Sequence, residues 1–213
     1  MLDITLKGKN LGEPAQQVNQ SCDFTSPLLY QEIPYSPANA SFMPNQGDRG
    51  RVMVFIDGAN LFYAASHLNI EIDYIKLLHL LTAKDHLVHV FFYAGRNPAD
   101  NNQHRFLQWL SYSGFRVITK VVSQAPDGTK KANLDVEIAV DMMQLSQHCD
   151  TAVLVSGDGD FVYVVDAIAM KGVRVEVVGL RSMTNSNLID AAHYYIDLAS
   201  IQQIVQKLGT GAK

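Results

Sequence analysis

Residues 52–60 read Val-Met-Val-Phe-Ile-Asp-Gly-Ala-Asn, and residues 151–161 read Thr-Ala-Val-Leu-Val-Ser-Gly-Asp-Gly-Asp-Phe. Each stretch is a short, continuous apolar run that ends abruptly in small residues and acids. A run of that length without alternation predicts a strand buried on both faces, as in a parallel sheet. Working outward, further strands are predicted at His86 to Tyr93, Phe115 to Val122, Val173 to Val178 and about His193 to Ile196. Helices are predicted between them at Asn60 to Asn69, Tyr74 to Leu81, Pro98 to Ser113, Asn133 to His148, Phe161 to Met170 and Ser200 to Leu208. Pro98 suits a first helical turn and Gly114 a helix stop. In the fourth helix the apolar residues are Val136, Ala139, Val140 and Met143. Ala125-Pro126-Asp127-Gly128 marks a turn. Strands alternating with helices predict an α/β fold, a mostly parallel central sheet with helices on both faces.

The chain has 213 residues, 47% hydrophobic and 18% charged, as expected of a single globular domain with an appendage. Residues 1–50 hold five of the seven prolines and show no sustained period. They are expected to be an extended or disordered leader, with the domain spanning 51–213. The formal net charge of −4 argues against nucleic-acid binding through bulk positive charge, though not against a nuclease whose metal site needs carboxylates. No run approaches a membrane span, and Cys22 and Cys149 form no zinc or redox spacing, so a reducing cytoplasm is the expectation.

In a parallel sheet, ligands bind beyond the carboxyl ends of the strands, at the point where strand order reverses. If the strands ending at Asp57 and Ser156 are neighbours, Asp57, Asp135, Asp158 and Asp160 converge there. Each acid singly could be a helix cap. Together they repel unless a cation or proton compensates, and hard oxygen ligands select Mg2+ or Mn2+. The glycines are no phosphate cradle, since the Lys-Ser/Thr pair and the full Gly-x-Gly-x-x-Gly spacing are missing. A metal-dependent phosphatase with an Asp-x-Asp nucleophile after the first strand is also disfavoured, because that position reads Asp57-Gly58-Ala59.

The segments VFIDGANLFYA (54–64), KKANLDVEIAVDMM (130–143), VLVSGDGDFVYVV (153–165) and NLIDAAHYYIDL (187–198) together resemble the NYN-domain family, a branch of the PIN-like nuclease superfamily, and within it the bacterial branch. The resemblance implies a PIN-like three-layer sandwich, a divalent-metal site and endoribonuclease activity. It carries metal-site roles onto Asp57, Asp135, Asp158 and Asp160, and accessory polar roles onto Asn60 and Ser156.

On this reading Asp57 and Asp158 contact the metal, and Asp135 and Asp160 complete the cluster directly or through water. Asn60 orients Asp57 or a phosphate oxygen. Ser156, on the substrate side, hydrogen-bonds a carboxylate or metal-bound water. Asp141, about 240° around the helix from Asp135, is left outside the site as a structural residue pairing with a cation. Cations at the same sheet edge are Arg96, Arg105, Lys120, Lys130, Lys131 and Arg181; Lys131 and Arg96 are assigned to substrate binding. Phe161 is expected in the core, and Tyr63 is equally suited to core packing and base stacking. The seven histidines form no ligand pair. The expected function is metal-dependent hydrolysis of single-stranded RNA; the alternative is a non-catalytic RNA- or protein-binding regulator on the same fold. A homodimer and a protein partner bound through the leader are further expectations.

Overall fold

The strand Arg51–Asp57 (β1) divides its side chains between two cores. Val52, Val54 and Ile56 pack on one face of the sheet and Met53 and Phe55 on the other, as a period of two requires. The computed structural model describes residues 49–82, 85–124 and 130–207, with backbone alone at 123–124 and 130–131. The elements that follow β1 are α1 (Gly58–His67), α2 (Tyr74–Thr82), β2 (His86–Arg96), α3 (Asn101–Tyr112), β3 (Arg116–Val121), β4 (Ser123–Gln124), β5 (Lys130–Lys131), α4 (Asp135–Leu145), β6 (Thr151–Val155), α5 (Val162–Ala169), β7 (Arg174–Gly179), α6 (Ser186–Ala191), β8 (Tyr194–Asp197) and α7 (Leu198–Val205).

Six strands form one sheet in the order β3-β2-β1-β6-β7-β8, and every pair in it is parallel. One core gathers residues of α1, α2, α3 and α7, and the other those of α4, α5 and α6. The result is the three-layer α/β sandwich expected from the sequence. The chain leaves β1 toward β2 and β3 on one side and leaves β6 toward β7 and β8 on the other. The switch point therefore lies between β1 and β6, whose register pairs Ile56 with Val155 and sets Asp57 level with Ser156.

Several boundaries differ from the sequence expectation because a side chain caps a helix. Asp100 accepts from the amides of Asn102 and Gln103, so α3 starts there and not at Pro98. Asp197 accepts from Ala199 and starts α7 at Leu198. In α4 the buried residues are Ile138 and Met142, with Leu134 just before the helix, whereas Val136 is 70% exposed and Val140 45%. Of the four apolar residues expected to matter, Ala139 and Met143 pack against the core, and Val136 and Val140 do not. The six-residue α6 and the antiparallel β4–β5 ribbon were not anticipated. The leader up to residue 48, the turn at 125–128 and Leu208 lie outside the described residues, while the last helix, expected to run to Leu208, ends at Val205.

Arg49, counted with the leader in the sequence analysis, is an integral part of the domain. It is 4% exposed; its guanidinium donates to both carboxylate oxygens of the fully buried Glu176, to the Leu81 carbonyl and to Asp85. Arg174 also donates to Glu176. Burial of an acid within β7 demands such partners, since an unpaired buried charge is strongly destabilising.

Candidate metal centre

β1 ends at Asp57 because its carboxylate turns back to cap α1. Oδ1 accepts from the amides of Ala59 and Asn60, both at 3.1 Å. Its other oxygen accepts from the Ser156 hydroxyl at 3.1 Å, which joins the end of β6 to the end of β1. Ser156 is 1% exposed, so that hydroxyl faces the carboxylate and not solvent. Asn60 also reaches across: its side-chain oxygen accepts from the Gly157 amide at 2.9 Å. Its side chain thus holds the β6 turn, and only its backbone amide serves Asp57.

The turn after β6 is tight. Asp158 caps the following helical turn by accepting from the Asp160 amide at 3.0 Å, and its own amide donates to Ser156 Oγ. A Cβ on Gly157 would stand 2.8–3.0 Å from Thr184 Oγ1, Thr184 Cα and the Met183 carbonyl, and one on Gly159 would stand 2.5 Å from Asn185 Nδ2. The loop after β7 thus packs directly on the acid-bearing turn, and Asn185 donates its amide to the Gly157 carbonyl.

α4 begins beneath this turn. Asp135, Asp158 and Asp160 each offer a carboxylate oxygen, all within 4.8 Å of one another. Asp57 lies against this trio: burial holds its carboxyl above the ordinary carboxylate range, with the charge of Asp158 adding to the shift and the Asn60, Ser156 and Ala59 donors opposing it. Burial likewise raises Asp135, helped by the charges of Asp158, Asp57 and Asp160 and opposed by Asn133. Carboxylates so close that their charges make Asp57 and Asp135 harder to ionise, presenting only hard oxygens, fit a divalent cation such as Mg2+ or Mn2+. Asp57, with three donors already on its two oxygens, retains less acceptor capacity than the trio.

The family model for the NYN domain matches residues 51–199. The chain belongs to the NYN domain family. It is 32% identical over 166 residues to the low amplitude and bright protein LabA of Synechococcus elongatus, covering 74% of this chain and 88% of that protein. A solved structure of a Vibrio parahaemolyticus protein of unknown function superposes with a TM-score of 0.64 at 28% identity, covering 73% of this chain and 96% of that one. A 72-residue stretch is also 32% identical to NAD kinase of Shewanella frigidimarina, covering 33% of this chain and 21% of that protein.

The cations of this NYN domain are unequally placed. Lys120 donates to Glu137 at 2.8 Å and to the Asn133 carbonyl, so it braces α4. Arg105 donates to Asn102. Lys131 lies in β5, and Arg96 ends β2 with no acid within ion-pairing distance among the described residues. Among the described residues Asp141 pairs with no cation; it accepts from the buried Tyr93 hydroxyl at 2.8 Å. Phe161 is buried, as expected, while Tyr63 is exposed beside Phe62 on α1. Among the described residues no helix is long and apolar enough to cross a membrane.

Proposed function

We propose that this NYN domain is a metal-dependent endoribonuclease that hydrolyses phosphodiester bonds of single-stranded RNA. The observation that carries the reading is the convergence of Asp135, Asp158 and Asp160 within 4.8 Å, beside Asp57, at the switch point of a parallel sheet. Those four side chains would hold Mg2+ or Mn2+. Bound there, such an ion supplies charge neutralisation at phosphorus and an acidified water. The chain's own contribution is positioning. Ser156 fixes the Asp57 carboxylate, Asn60 fixes the Gly157 amide, and Lys131 and Arg96 hold substrate phosphate. The test is cleavage of mixed-sequence RNA oligomers during Mg2+ and Mn2+ titration, with Asp158→Asn as control; cleavage in the wild type and none in the variant is expected.

The second reading is a regulator that binds RNA or a protein partner without cutting. The net charge of −4 and the commitment of Lys120 to Glu137 favour it, because both limit the positive charge available to grip RNA. Wild-type protein that cuts no RNA across the metal titration, yet binds a partner independently of Asp57, decides for the regulator.

A further inference from the structure

The acid-bearing turn has a neighbour whose chemistry is unspent. Arg181 follows β7, where Gly179 pairs with Asp197. Val155 pairs with Val178, so Ser156 is level with Gly179. Arg181 lies two residues past Gly179, as Asp158 lies two past Ser156. β6 and β7 are paired neighbours, so the loop that carries Arg181 leaves the sheet on the β7 side of the turn that carries Asp158.

The side chain is exposed yet held. Its guanidinium carbon stands 5.8 Å from the centroid of the Tyr195 ring. Tyr195 is itself fixed, its hydroxyl lying 2.8 Å from the Gly179 carbonyl and 3.2 Å from Thr184 Oγ1. Asp197, at the end of β8, accepts the backbone amides of Arg181 and Ala199 at its Oδ1. No carboxylate lies within ion-pairing distance of the Arg181 guanidinium among the described residues. By contrast Arg49, Arg51, Lys120 and Arg174 are all committed to acids. A guanidinium that faces an aromatic ring without a carboxylate partner keeps donors free, in the planar fork that suits a phosphate. The loop carrying it is locked to the metal turn by the Asn185–Gly157 backbone bond and by Thr184 packing on Gly157.

We propose that Arg181, held over the Tyr195 ring in the loop packed on the Gly157–Asp160 turn, binds a backbone phosphate of the RNA strand flanking the scissile one. The inference rests on the ribonuclease reading and adds the direction of the strand: across the sheet edge toward β7, with Arg96 marking the opposite side.

The experiment is an anisotropy titration of the full chain with a fluorescein-labelled RNA of about 12 nucleotides. Ca2+ replaces Mg2+, the length of the RNA is checked by gel, and salt runs from about 50 to about 200 mM. Arg181→Ala is expected to weaken binding about 5- to 10-fold and to make the salt dependence shallower by about 0.7 in log–log slope, one single-strand phosphate contact. Arg181→Lys should restore the slope but only part of the affinity, since the ammonium neither stacks nor forks. Tyr195→Leu should weaken binding as Arg181→Ala does, and Tyr195→Phe should not. Mn2+ affinity by calorimetry should be equal in wild type and Arg181→Ala. Wild-type affinity and slope in Arg181→Ala would overturn the inference while leaving the nuclease reading intact. A matching fall in Mn2+ affinity would overturn it too, by showing that Arg181 acts through the turn. A wild type that neither binds nor cuts RNA removes both.

Discussion

The Ser156 hydroxyl donates to Asp57 Oδ2 at 3.1 Å, so the carboxylate that caps α1 is held from the neighbouring strand as well. Asp57 therefore does two jobs, and substitution separates them. Asparagine caps a helix about as well as aspartate, so Asp57→Asn should leave the metal-free fold at least as stable as wild type, with one repelling charge removed. The same change should abolish most of the melting shift produced by Mn2+, a shift worth about 2.7 kcal/mol in wild type at 100 times the dissociation constant. Thermal melts with and without Mn2+ check both halves. Equal shifts in the two proteins would place Asp57 outside the metal's reach.

Arg49 should be the costliest surface-to-core link to cut. Arg49→Ala leaves Glu176 buried with only the partly exposed Arg174 as partner, a loss of about 3–5 kcal/mol. Truncation tests the same point without a point mutation. A chain starting at Arg49 should unfold at clearly higher denaturant than one starting at Arg51. Coincident urea midpoints for the two truncations would show that the buried pair contributes nothing.

Two pH trends of opposite sign are expected in metal-free protein. Asp57 and Asp135 have folded pKa values raised chiefly by burial. Their contribution is fully present below the ordinary carboxylate range near about 4 and is lost as pH rises through the raised folded values. Asp150, lowered to about 2 by its hydrogen bonds from Arg51, contributes above about 4 and loses that contribution as pH falls toward 2. Urea midpoints from pH 2 to 8 in chelator should show both limbs. Arg51→Gln should shrink the acid limb without changing the other, since the residue 51 amide still donates to Asp150 and Lys120 still lowers Glu137, and Mn2+ should reverse the slope above about pH 4.

The burial of α4 makes a prediction about its two faces. Val136→Ser and Val140→Ser, on the exposed face, should change stability by no more than about 0.5 kcal/mol. Ile138→Ala and Met142→Ala, each 1% exposed, should cost about 2–5 kcal/mol. Guanidinium unfolding of the four variants checks the assignment, and a reversal of the two pairs would restore the face expected from the sequence.

The strands of the sheet were legible because a strand buried on both faces leaves a continuous apolar run, and the acids at 57, 158 and 160 interrupt that pattern where a buried sheet has no other use for charge. The face of α4 is encoded locally, in the spacing of four between Leu134, Ile138 and Met142, and Val136 and Val140 beside it obscure that stripe. What escaped was set by single contacts across the fold. Arg49 gave no local signal in a proline-rich stretch. Its partner did: Glu176 stands inside Arg-Val-Glu-Val-Val-Gly, where a charge in a buried strand requires a counterion from somewhere in the chain. The 3.1 Å link to Ser156 and the packing of Thr184 on Gly157 depend on strand register, so the sequence could name the acids but not the residues that hold them in place.

β1 and β6 are adjacent in the sheet yet 99 residues apart at the Asp57–Ser156 contact. Closing so long a loop comes late in assembly, after the local β–α units on either side have formed. The acid cluster is then a product of the completed sheet, not a seed for it. A cation that binds there meets no site in the unfolded chain or in its early collapsed forms. Its effect should fall on the rate at which the domain opens, leaving the rate at which it closes nearly unchanged. Metal supply would set how long each folded molecule lasts, not how quickly a new one is made.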